Sequence, residues 1–88
     1  MKLMMVILND SDADDVISRL IESEYRVTRV ASTGGFLRRG NTTLFVGTES
    51  DKIDSALEII KQASVEPKQP GQRKATIFVL GVDHYTQL

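Results

Sequence analysis

Apolar positions along this chain follow two periodicities that take turns. Residues 3–8, Leu3-Met4-Met5-Val6-Ile7-Leu8, form an unbroken apolar run that ends in the turn pair Asn9-Asp10. A run this short predicts a strand rather than a helix. Both of its faces, Leu3/Met5/Ile7 and Met4/Val6/Leu8, are apolar and need cover. Over residues 10–23 the spacing changes: Ala13, Val16, Ile17, Leu20 and Ile21 recur as one helical stripe. Ser11-x-x-Asp14 reads as a capping box with Asp in place of Glu, and Asp10, Asp12, Asp14 and Asp15 suit the positive end of the helix dipole. Residues 25–32 alternate, with Tyr25/Val27/Arg29 on one side and Arg26/Thr28/Val30 on the other. Residues 42–48, centred on Leu44-Phe45-Val46, predict a partner strand in a long hairpin. Residues 50–63 predict a second helix, N-capped by Ser50 or Asp51, with the stripe Ile53, Ala56, Leu57 and Ile60. A polar loop over residues 64–74 carries Pro67, Pro70 and Gly71. The last strand, 75–82, is apolar on both faces, Ile77/Val79 and Phe78/Leu80, and a short tail, 83–88, follows.

The order is β-α-β-β-α-β, which predicts a single α+β domain over residues 1–88. Its architecture is the ferredoxin-like sandwich, a four-stranded antiparallel sheet with two helices on one face. Two helices cover one face only, yet the first and last strands are apolar on both. A second apolar sheet face approaches or exceeds the few hundred Å² that monomers usually expose. Homo-oligomerisation with the sheets turned inward is the economical answer.

Composition narrows the chemistry. The chain has 88 residues, no cysteine and a formal net charge of −1. A domain this size buries roughly 60% of the surface of its unfolded chain, with neither disulfides nor thiolate metal sites to help. No apolar run is long enough to span a membrane, so a cytoplasmic location is expected. The acidic balance, with a pI near 5.7, argues against general nucleic-acid binding. An RNA-recognition sheet would also carry more aromatic residues than Phe45 and Phe78. His84, the one histidine, sits in the tail, where a surface role outweighs catalysis or metal binding. The acidic run lacks the glycine and terminal Glu of a calcium loop. No catalytic constellation, metal site or cofactor motif emerges. The expectation is a binder, not an enzyme.

The residues best suited to binding lie in and around the central loop. Gly34-Gly35 and Gly40-Asn41 are turn signals, and between them stand Phe36, Leu37, Arg38 and Arg39. Arg26, Arg29, Arg38 and Arg39 make a local basic cluster on a weakly acidic protein. A stacking ring, backbone N–H groups and positive charge together suit a planar anion such as a nucleotide. Equally, Phe36 and Leu37 could only pin the loop down while the arginines face water.

Beyond this reading, the chain resembles a known family over nearly its whole length. The residues that carry the resemblance are Lys2-Leu3, Arg26-x-Thr28, Ala31-Ser32-Thr33-Gly34-Gly35-Phe36-Leu37, Gly40-Asn41-Thr42-Thr43, Asp54-x-Ala56-Leu57-Glu58-Ile59-Ile60 and Ala75-Thr76-x-Phe78-Val79-Leu80. They resemble the PII-like cyclic-di-AMP receptors, typical of Gram-positive bacteria. The resemblance implies a non-enzymatic signal-transduction protein, a homotrimer with one cyclic dinucleotide in each of three clefts between subunits. It implies that Arg26 and Thr28 meet the phosphates and the ligand's edge, and that Asn41 reads an adenine through paired hydrogen bonds. Phe36 and Leu37 would cover an adenine, Phe78 would line the cleft, and Gly35 and Gly47 would admit close backbone approach. Ordering of residues 33–40 over the ligand would then alter the surface shown to an unidentified protein partner. Two features depart from the family's pattern. Its long loop before the last strand is reduced here to residues 64–74, and position 24, often a side-chain amide there, is Glu24. Two alternatives stay open: a PII-like interaction scaffold without the dinucleotide, or a binder of another nucleotide such as ATP.

Overall fold

The computed structural model describes residues 1–32, 40–65 and 73–88. The chain runs β1 (Lys2–Asn9), α1 (Asp10–Glu22), β2 (Arg26–Ser32), β3 (Asn41–Thr48), a 3-10 turn (Ser50–Lys52), α2 (Ile53–Ala63) and β4 (Ala75–Gly81). The four strands form one sheet in the order β2-β3-β1-β4, and every pairing is antiparallel. This is the ferredoxin-like α+β fold that the pattern of elements predicts.

Position in the sheet decides how each strand reads. β1 and β3 are central, and both are buried at every second residue: Met4, Val6 and Leu8 on one, Thr42, Leu44, Val46 and Thr48 on the other. These side chains meet Ala13, Val16 and Leu20 of α1 and Ala56, Ile60 and Ala63 of α2 in a single core. The opposite face carries Leu3, Met5 and Ile7 of β1 beside Thr43, Phe45 and Gly47 of β3. Phe78 and Leu80 extend that face onto the edge strand β4, about half exposed at 52% and 47%. Helices therefore cover one face, as expected, and no described helix covers the other.

The acidic first turn does a different job from the capping box expected of it. The residue before α1 is Asn9, and no side chain caps the helix. Instead the carboxylates reach across the fold. Asp10 accepts a hydrogen bond from the Thr42 hydroxyl on β3. Asp12, buried at 4% exposure, accepts one from the Val65 amide at 3.4 Å. Asp14 pairs with Arg29 at 2.7 Å. Tertiary partners replace local ones because the helix opens directly out of a central strand, next to β3. At its other end, the expected stripe residue Ile21 is 56% exposed. The second helix is also corrected at its start: residues 50–52 form a 3-10 turn, α2 begins at Ile53, and neither Ser50 nor Asp51 caps it.

Candidate functional site

Alternation along β2 sends Tyr25 and Val27 toward the core and Arg26 and Thr28 to the open face, where they stand opposite Gly47 and Phe45 of β3. One row across the sheet is thus Thr28, Phe45, Met5 and Phe78; the next is Arg26, Gly47, Leu3 and Leu80. At the β2 end of these rows a cavity of about 360 Å³ opens, with Arg26, Thr28, Phe45, Gly47 and Leu3 among its walls and the tail residues His84 and Tyr85 across from them. A cationic guanidinium, a hydroxyl, an aromatic ring and an aliphatic floor meet here. That set can hold a phosphate beside a flat apolar ring.

Gly47 is informative. A Cβ built there would meet nothing within 4 Å, so the surrounding described residues leave room for a side chain.

A second cavity, of about 320 Å³, adjoins the first through Arg26, Gly47, Met1 and Tyr85. Its remaining lining is polar and includes Glu24, Thr48, Glu49 and Lys52. Glu24 stands here in a left-handed conformation, φ 69°. The amide of Glu24 donates to the Ile21 carbonyl at 2.9 Å and that of Tyr25 to Leu20 at 3.0 Å, the two bonds that close a Schellman motif at the end of α1. The Tyr25 hydroxyl in turn donates to the Lys52 carbonyl at 2.9 Å, tying the entry of β2 to the 3-10 turn.

The expected site residues divide into three sets. Arg26, Thr28 and Gly47 come together around one cavity. Asn41 shares the open face by alternation but lies six residues from Gly47, about 20 Å along β3. Phe78 shares the Thr28 row but sits on β4, the far edge of the sheet. Gly35, Phe36 and Leu37 lie outside the described residues. The expected basic cluster loses Arg29: beyond it the β2–β3 register shifts, and its guanidinium pairs with Asp14 on the helix side of the sheet. Arg38 and Arg39 also lie outside the described residues. The sequence did not single out Phe45 or Tyr85, both of which line the first cavity. Phe45 could have been found by following alternation outward from Gly47, whereas nothing local to the tail places Tyr85 against β2. Among the described residues no group of His, Asp and Glu is placed to hold a metal ion, and no helix is long and apolar enough to cross a membrane.

Residues 1–72 match the family model of the cyclic-di-AMP receptors. A crystal structure of a functionally unknown protein from Pediococcus pentosaceus is similar throughout, with 38% sequence identity and a TM-score of 0.76. The alignment covers 99% of this chain and 96% of that one.

Proposed function

The chain belongs to the cyclic-di-AMP receptor family, and we propose that it is a non-enzymatic receptor binding cyclic di-AMP in clefts between the subunits of a homotrimer. Arg26 and Thr28 engage a phosphate and the ligand's edge. Asn41 pairs with an adenine through its amide, the group whose donor and acceptor match the adenine N6/N7 edge. Phe36, Leu37 and Phe78 supply apolar cover. Because Asn41 begins β3 while Arg26, on β2, pairs with Gly47 near the other end of β3, a site using both is better assembled between subunits than within one. The uncovered apolar face gives those subunits a surface to share.

The observation that carries this reading is Gly47. It lies between Arg26 and Leu3 on a cavity floor where the described residues leave space for a side chain. An external group that comes close to this backbone accounts for the glycine. Gly47→Ala should therefore leave the thermal midpoint nearly unchanged while weakening cyclic di-AMP binding at least tenfold. Binding undiminished in the alanine variant would contradict the assignment.

One observation favours the scaffold reading. Glu24 lines the cavity that adjoins Arg26, and a carboxylate near an anion disfavours it. A protein that forms the trimer but ignores every nucleotide would fit that reading.

A further inference from the structure

We propose that Tyr85, in the C-terminal tail, is a positioning residue for the dinucleotide site and acts through Arg26; the inference rests on the receptor reading above. The family match ends at residue 72, so it assigns nothing to the tail. Residues 82–88 carry no helix or strand, yet they double back over the sheet. The Val82 amide donates to the Met1 carbonyl at 3.2 Å, and the Arg26 guanidinium donates to the Tyr85 hydroxyl. This pair stands where the two cavities meet, since both residues line both.

The chemistry of the anchor is what matters. Arginine is long and loses rotamer freedom when a ligand pins it, so a contact that fixes it beforehand lowers the cost of binding. The Tyr85 oxygen accepts from one terminal nitrogen and leaves the other donors of the guanidinium fork for an incoming phosphate. A phenol is neutral, so it orients the guanidinium without cancelling its charge. Arg29 shows the contrast: its partner is the Asp14 carboxylate at 2.7 Å, an anion beside which a phosphate is disfavoured. Of the two arginines on β2, Arg26 is the one held ready for an anion.

Tyr85→Phe keeps the ring and removes the acceptor. Titration with cyclic di-AMP should show affinity about tenfold weaker than in the parent protein, the loss of roughly one hydrogen bond to a charged group. The thermal midpoint and subunit number should not change. With no tryptophan and two tyrosines in the chain, tyrosine emission follows the titration, and its ligand-induced change should largely vanish in the variant. In the ligand-free protein, the Arg26 Nε–H resonance should be sharp and protected from solvent exchange, and averaged in Tyr85→Phe. Parent-like affinity in the variant overturns the proposal alone. Weakened binding with an unaltered Arg26 resonance also overturns it, because Tyr85 would then touch the ligand directly. A parent protein that binds no cyclic di-AMP brings down the receptor reading, and this proposal with it.

Discussion

Glu24 ends α1 in a backbone conformation that glycine and asparagine adopt with less strain. The chain turns there by a Schellman motif, and the two closing hydrogen bonds fix φ whatever the side chain. A bulky L residue at that point costs on the order of 1 kcal/mol. Glu24→Gly should raise stability by roughly that amount in urea unfolding, offset in part by the freer unfolded chain, whereas Glu24→Ala should gain nothing. Equal effects of the two variants would show that the turn is not strained. The sequence marks position 24 only as a departure from the family's pattern. The fold shows what the position does: it ends a helix and lines the cavity beside Arg26.

Among the elements, β2 decides which charges serve the site. Simple alternation correctly separates Arg26 and Thr28 from Tyr25 and Val27. It also places Arg29 with Tyr25, but it does not say that Asp14 of α1 will be waiting there. The pairing depends on how α1 crosses the sheet, and no local pattern encodes that crossing. Arg29→Ala should leave cyclic di-AMP affinity within twofold of the parent and cost less than about 1 kcal/mol of stability, because the pair is largely solvated. Arg26→Ala should weaken binding by a hundredfold or more with little change in the melting temperature. If the two variants lose affinity alike, the division of β2 into a site face and a helix face is wrong. The helices carry the same lesson. Their apolar stripes were legible because period 3.6 is a local property. The employment of Asp10, Asp12 and Asp14 was not, because each partner lies distant in sequence, on β3, after α2 or on β2.

At the scale of the whole molecule, the fold was readable from element order alone, and so was the surplus apolar face. Leu3, Met5, Ile7, Phe45, Phe78 and Leu80 share that face, and burying one large apolar side chain contributes roughly 1.5–3 kcal/mol. Light scattering should report about three subunits per particle. Leu80→Lys, which puts a charge on an exposed edge-strand position, should shift the particle toward monomer with its circular dichroism intact. A parent protein that stays monomeric at high concentration would contradict the shared-face account. The site itself was less legible than the fold. Arg26, Thr28 and Gly47 converge because β2 and β3 pair in one register, which alternation anticipates. Tyr85 converges because the tail folds back from β4, three strands away from β2.

The central claim, that this surface is a cyclic di-AMP receptor, is most directly tested by isothermal calorimetry of the purified protein with cyclic di-AMP, with cyclic di-GMP and ATP as controls. Saturable heat near one ligand per subunit, selective for cyclic di-AMP, is the predicted result. A folded trimer that gives no heat with any of the three, or that binds ATP as well as the dinucleotide, would contradict it.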